Sequence, residues 1–319
     1  MDTPPAMQAG CRTQRSGDSA DRCKTPCSRK LAEELTVSTW NIQGKWRSGK
    51  QAILMAEMQR LDIQVMFVTE LKRSDVDDDG ERCDMTLSRT DDERIPYVGF
   101  WTYHCGIVLP ARIACIVKEW GIIAGGMAVW ASVDVESKRR PGRPQRLFLV
   151  SVYAPTAVPG HEQDTARLYG GLTDLLAGST ARGILILGGD LNARIGLQRN
   201  GRELVLGPFA RGGTNMNSDA AVDFAAEQEL CFPSSWFRKD WRKTSTWFHA
   251  SSRRWYQQDH FMVRQRDRFL VTDVASRNDS EIGSDHKLVV MHIRVSKPCR
   301  TRAVRPPRKF DAQAVARTE

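Results

Sequence analysis

Ile184-Leu185-Ile186-Leu187-Gly188-Gly189-Asp190-Leu191-Asn192 is the stretch on which the reading of this chain turns. Four consecutive apolar residues closed by glycines have the pattern of a short strand buried on both faces. The two glycines let the backbone turn without a Cβ penalty, and a carboxylate and a carboxamide follow. In extended geometry Asp190 and Asn192 point to the same side, so the strand tip presents an acid and an amide together. Taken alone, the stretch reads equally well as a glycine-rich turn in which Asp190 and Asn192 bond their own backbone.

The rest of the chain sets the bounds. Its 319 residues, 41% of them hydrophobic, suffice for one large core or two small ones. Forty-seven Lys and Arg against 38 Asp and Glu leave a net charge of +9, which favours a polyanionic partner. The eight cysteines are scattered, and Cys11, Cys23 and Cys27 lack the second Cys/His pair of a zinc ribbon. A reduced, soluble, intracellular protein is expected. No apolar signal segment precedes the charged N-terminus, and the uncharged run Trp120 to Val133 is too short to span a bilayer.

Residues 1–34 are rich in Pro, Ser, Thr and charge and read as a disordered lead; residues 297–319 read as a basic tail. Between them, 35–296 reads as one domain. Alternating or apolar runs predict strands at Leu35–Trp40, Ile63–Val68, Val98–Trp101, Ile113–Val117, Met127–Val135, Leu147–Tyr153, Thr244–Phe248, Gln258–Val263 and Leu288–Val295. Helical spacing predicts helices at Gln51–Leu61, His161–Leu176 and Asp219–Leu230. The acidic stretch from Asp75 to Arg94 reads as a solvated loop, and Lys138–Arg143 as a turn. Many short strands with few helices argue for an α/β sandwich of four layers: two mainly antiparallel sheets flanked by helices. Trp101, Trp130, Trp236, Trp241 and Trp247 are expected to fill its core and inter-layer spaces.

Polar residues recur where these strands stop: Asn41, Glu70, Tyr153, Asp190, Asn192, Asp259, Asp285 and His286. Strand ends of layered sheets are where sites form. Carboxylates and amides with one tyrosine and one histidine suit a hard cation and acid–base chemistry. The ordered motifs Trp40-Asn41-Ile42, Thr69-Glu70, Val152-Tyr153-Ala154-Pro155, Gly189-Asp190-Leu191-Asn192, Gln257-Gln258-Asp259-His260 and Ser284-Asp285-His286 resemble the endonuclease/exonuclease/phosphatase superfamily. Lys243-Thr244-Ser245-Thr246-Trp247 and Ile282-Gly283-Ser284-Asp285-His286 look like the apurinic-type endonuclease domains of non-LTR (LINE-type) retrotransposons.

That resemblance implies a DNase I-like fold and a DNA endonuclease that uses Mg²⁺, with Mn²⁺ substituting, to nick DNA and leave a 3′-hydroxyl. By similarity Glu70 binds the metal, with Asp285 and Asn41 in or beside its first shell. His286, oriented by Asp259, stabilises the transition-state charge on the phosphate. Asp190 activates water, and Asn192 and Tyr153 donate to phosphate oxygens. Arg253, Arg254 and Trp255 lie on a hairpin expected beside the DNA. A nuclear address follows from a DNA partner; no membrane or protein partner is implied. One departure stands out: Gln43 occupies a position that is acidic in many members. Rival readings are an abasic-site repair endonuclease or a phosphatase of the same fold, and an inactive nucleic-acid-binding remnant.

Overall fold

The computed structural model describes residues 12–15, 34–44, 48–73, 75–76, 80–88, 94–114, 116–136, 144–178, 183–197, 199–280 and 282–295. In chain order the first elements are β1 (Arg12–Arg15), β2 (Glu34–Asn41), α1 (Ser48–Arg60), β3 (Val65–Thr69), β4 (Glu81–Ser88) and β5 (Arg94–Trp101). There follow β6 (Cys105–Pro110), α2 (Ala111–Ala114), β7 (Val117–Ile123), β8 (Ala128–Glu136), β9 (Pro144–Tyr153), α3 (Glu162–Ala177) and β10 (Ile184–Asp190). The last are α4 (Ser218–Glu227), β11 (Leu230–Cys231), β12 (Trp247–His249), β13 (Arg254–Tyr256), β14 (Asp259–Arg264), β15 (Val271–Ser276) and β16 (Val289–Arg294).

The strands form two seven-stranded sheets and one small hairpin. The first sheet runs β1-β7-β8-β9-β10-β14-β11 and the second β15-β16-β2-β3-β6-β5-β4, while β12 and β13 make the hairpin. Each large sheet is antiparallel except for one central pair, β9 with β10 and β2 with β3. Each parallel pair is joined through a helix, α3 or α1, as parallel strands require. Both connections therefore leave two carboxyl-terminal strand ends side by side.

Side-chain alternation explains the layering. In β10, Ile184 and Ile186 face the second sheet, in one cluster with Leu147, Leu149, Val37, Val65 and Phe67. Leu185 and Leu187 face the other way, against Leu168 and Leu172 of α3 and Phe224 of α4. Trp40, Ile42, Met66 and Val68 on the outer face of the second sheet meet Leu54, Met55 and Met58 of α1. Three apolar seams thus join four layers, the sandwich expected from the sequence.

Several local expectations are corrected. The glycines do not end the strand in a turn; β10 continues through both to Asp190. Gly188 lies inside the sandwich, where an added Cβ would stand 2.6 Å from Phe67 and 2.8 Å from Phe261. At Gly189 it would stand 1.8 Å from the carbonyl oxygen of Val152 on β9. Close approach, not turning, demands these glycines.

Within the expected acidic loop, β4 is the edge strand of the second sheet, paired to β5. Charged Arg82 and Asp84 alternate there with Cys83 and Met85, which pack on the α1 seam, and charge of this kind blunts an edge. Ile113–Val117 is not a strand but the end of α2 running into β7; Ile113 and Ala114 are buried by a single helical turn. Strands β6, β7 and β15 carry no sequence expectation of their own. Trp101 and Trp130 are fully buried and Trp236 packs half-buried on the inter-sheet core, whereas Trp241 is 45% exposed and is not core. Arg12–Arg15, inside the segment read as a disordered lead, pair with β7. The three N-terminal cysteines, the Lys138–Arg143 turn and the tail from residue 297 lie outside the described residues.

Candidate active site

Register builds the site. In the first sheet Tyr153, Asp190 and Asp259 are direct partners across β9, β10 and β14, a row of polar residues at one sheet end. In the second sheet Asn41 is the partner of Thr69, which Glu70 follows. Asn41, fully buried, ties the two sheets together: its amide nitrogen donates to Glu70 Oε2 (3.0 Å) and to Asp190 Oδ2 (2.8 Å). Its oxygen accepts the backbone N–H of Gln43 (2.9 Å), so as placed the amide is a bridge between carboxylates.

Glu70 and Asn192, which follow the central strands β3 and β10, have left-handed φ angles of 56° and 47°. Such backbone costs a non-glycine residue on the order of 1 kcal/mol and gathers at functional sites. Asn192 is therefore not extended, and strand parity is not what sets it beside Asp190. The turn instead brings its backbone N–H to Asp190 Oδ1 (2.8 Å) and its amide nitrogen to the Ala154 carbonyl (2.9 Å).

Asp285 and His286 precede β16. His286 Nδ1 lies 2.9 Å from Asp259 Oδ2, and its Nε2 lies 4.0 Å from Asp190 Oδ2 and 3.8 Å from Asp285 Oδ1. The His286 backbone is fixed as well: Trp40 Nε1 donates to its carbonyl (3.2 Å), and its N–H donates to Ser284 Oγ (3.1 Å). Burial pulls the imidazole pKa down, but the carboxylates of Asp259, Asp190 and Asp285 outweigh it and hold the pKa up at about 9. Burial is also the main reason that Asp190 is raised to about 7, with the charge of Asp259 adding to it. The Tyr153 hydroxyl is pushed up by burial and by the nearby Glu70 and Asp190, so it remains a donor.

Several neighbours carried no separable sequence signal. Lys72 Nζ lies 2.9 Å from Glu70 Oε1. Trp247, read as core, is half-buried and donates its indole N–H to Asp285 Oδ2 (3.0 Å). Thr246 Oγ1 accepts the N–H of Asp259 (3.1 Å), and His104 stacks on Tyr153 with ring centroids 5.8 Å apart. Thr246 and Trp247 stand in the Lys243–Trp247 motif, which did not say what either would touch. A hairpin does stand at 247–256: Arg253 and Arg254 are exposed at its tip, and Trp255 packs on Phe248 with Lys287 Nζ 4.0 Å from its ring centroid.

Two groupings could hold a cation. Ligand atoms of Asp190, Asp259 and His286 all lie within 4.8 Å of one another. Glu70 offers a second, carboxylate site; Asn41 donates its amide N–H to it, and it already faces the ammonium of Lys72. No helix among the described residues is long and apolar enough to cross a membrane.

The same architecture occurs in characterised proteins. The endonuclease domain of TRAS1, a telomere-specific non-LTR retrotransposon, superposes with a TM-score of 0.53 at 14% identity, covering 83% of this chain and all of that domain. AP endonuclease LMAP from Leishmania major superposes with a TM-score of 0.52 at 13% identity, over 83% of this chain and 88% of that one. Craniofacial development protein 2 of Bos taurus is 28% identical over 296 residues, which is 90% of this chain but 45% of that protein. The chain thus spans less than half the length of this curated relative. Residues 38–286 match the Endonuclease/Exonuclease/phosphatase family; the span takes in every strand from β3 to β15 and every polar strand end that builds the site, and the chain belongs to that family.

Proposed function

We propose that the chain is a divalent-metal-dependent DNA endonuclease that hydrolyses a phosphodiester bond and leaves a 3′-hydroxyl, of the kind that nicks targets for non-LTR retrotransposons. The observation that carries this reading is the buried His286–Asp259 pair at 2.9 Å with Asp190 4.0 Å from the free imidazole nitrogen. A protonated imidazole beside a base poised near neutrality is what phosphoryl hydrolysis needs. A DNA substrate suits the net charge of +9 and the exposed Arg253 and Arg254.

In this mechanism Asp190, ionised above its pKa of about 7, takes the proton of the attacking water. The water oxygen bonds to phosphorus as the bond to the 3′ oxygen breaks, and the departing 3′ oxygen takes up a proton from solvent to become the hydroxyl. His286, kept protonated by Asp259, donates from Nε2 to a phosphate oxygen as negative charge builds. Tyr153 and the second amide hydrogen of Asn192 donate to the other oxygens. Because an imidazolium does not ligate a cation, the Glu70 side is assigned the metal, with Asp285 and Asn41 adjoining. Its oxygen donors fit Mg²⁺ or Mn²⁺, and Lys72 marks it as a place where positive charge sits. When bound, the cation neutralises phosphate charge.

Three outcomes separate this reading from its relatives. Intact duplex, duplex with one abasic site and soluble inositol phosphates are offered in parallel; nicking of intact duplex is expected. Cleavage confined to the abasic duplex indicates a repair enzyme, and hydrolysis of the soluble phosphates alone indicates a phosphatase. DNA binding without cleavage indicates a remnant.

The pKa directions set the pH profile. The base must be ionised and the imidazole protonated, so kcat/KM rises through a limb at or below about 7 and falls through a limb near 9. Asp259→Asn removes the charge that most raises His286, so the upper limb moves to lower pH. An upper limb that stays in place contradicts the His286 assignment.

Metal titration tests Glu70. Glu70→Gln weakens cation capture, so its activity returns in part at high Mg²⁺ or Mn²⁺, and Gln43→Asp lowers the concentration for half-maximal nicking. A Glu70→Gln variant that no metal concentration rescues argues for a direct catalytic role instead. For the hairpin, replacing 250–254 with a Gly/Ser loop redistributes nick positions on a sequenced duplex and spares the metal requirement. An identical nick pattern removes Arg253 and Arg254 from target choice.

A further inference from the structure

A cleft of about 150 Å³ lies between the long loop that joins β10 to α4 and the β12–β13 hairpin. Arg194, Arg211, Trp241, Trp255 and Tyr256 line it, and no Asp or Glu does. Its walls are chain neighbours of the candidate active site. Arg194 lies two residues beyond Asn192, and Gln257 two before Asp259. Ser245 precedes Thr246, whose hydroxyl accepts the Asp259 N–H.

Arg194 is fixed in place without a partner for its charge. Its backbone N–H donates to Asn215 Oδ1 (2.9 Å), and its carbonyl accepts from Ser218 Oγ (2.6 Å). The guanidinium carbon stands 3.6 Å from the centroid of the Tyr256 ring. Stacking of this kind covers a face of the planar cation and leaves its in-plane N–H edge for an acceptor. Among the described residues none supplies one: Nε has no hydrogen-bond partner and no carboxylate pairs with the group. Arg60, Arg146 and Arg202, by contrast, each meet an Asp or Glu. Beside Arg194 the cleft carries a second cation, Arg211, and an aromatic, Trp241, that are both exposed. Cations set among flat apolar rings suit a nucleic-acid strand, in which phosphates alternate with nucleosides.

We propose that this cleft is a phosphate subsite for the substrate strand, in which Arg194 binds a backbone phosphate that flanks the scissile one. The proposal rests on the DNA-endonuclease reading and adds to it a contact made outside the reacting group. Arg194 is then a binding residue whose forked N–H edge matches two phosphate oxygens, and Tyr256 is the platform that holds the fork in position.

Fluorescence anisotropy of the full chain with duplex DNA, in chelator so that no strand is cut, tests this. Arg194→Gln is expected to bind about tenfold more weakly and to flatten the slope of log affinity against log salt by about one. Arg194→Lys keeps the slope but recovers only part of the affinity, because a point charge replaces the fork. Neutral methylphosphonates are then placed singly at the phosphates flanking the mapped nick. One of them is expected to weaken binding by the wild type and to leave Arg194→Gln unaffected, the signature of a direct pair. Unchanged affinity and slope in Arg194→Gln, or losses that simply add at every flanking phosphate, overturns the subsite even where Mg²⁺-dependent nicking is intact. A flattened slope in a protein that never nicks upholds the subsite and overturns the endonuclease reading instead.

Discussion

Asp190→Asn is expected to lower the nicking rate by on the order of a hundredfold or more at every metal concentration, without lowering the melting temperature at pH 8. Asparagine keeps the shape of the side chain and can still accept the Asn192 N–H, but it cannot take a proton from water. The stability half follows from burial. A carboxylate whose pKa is raised to about 7 in the fold makes the folded state lose stability as pH rises from the unfolded value of about 3.9 through 7. At pH 8 that cost is present in full, and asparagine removes it. Against this, with its oxygen on the Asn192 N–H the introduced amide sets its NH₂ against the Asn41 NH₂ that donates to Asp190 Oδ2, so the gain is offset in part. Initial rates on supercoiled plasmid and a thermal melt decide the matter. Near-normal nicking by this variant would take Asp190 out of the role of base. A collapse of the melt would make its effect structural.

Gly189→Ala is expected to destabilise the fold by more than about 3 kcal/mol, on the high side for overpacking. Its Cβ would sit 1.8 Å from the Val152 carbonyl oxygen and 2.7 Å from the carbonyl carbon. Both atoms are backbone of β9, which is itself held between β8 and β10, so no side-chain rotation relieves the overlap. Separating β9 from β10 would also part Tyr153 from Asp190, its register partner. Soluble Gly189→Ala protein with the wild-type denaturation midpoint would contradict the packing described here.

What could be read from the sequence was what local pattern encodes. Ile184–Leu187 reads as a two-sided buried strand because both of its faces meet apolar layers. The charged edge strand β4 does not, because a strand with one solvated face and no neighbour on one side need not be apolar. The residues of the site could be collected only through the family resemblance, since 149 positions separate Asn41 from Asp190 and no spacing rule spans that distance. The left-handed turns at Glu70 and Asn192 were not legible because neither residue is glycine. The same holds for the indole of Trp247: a tryptophan that fills a core and one that donates to Asp285 look alike in sequence.

The central claim is a metal-requiring nuclease at the ends of the two parallel strand pairs. Supercoiled plasmid incubated with the full chain, with Mg²⁺ and with excess chelator, tests it most directly, with the product then offered to a DNA polymerase. Conversion to open circles in Mg²⁺, none in chelator and extension from the nick without prior end repair is the predicted result. Nicking that persists in chelator, or open circles that no polymerase extends, would contradict it.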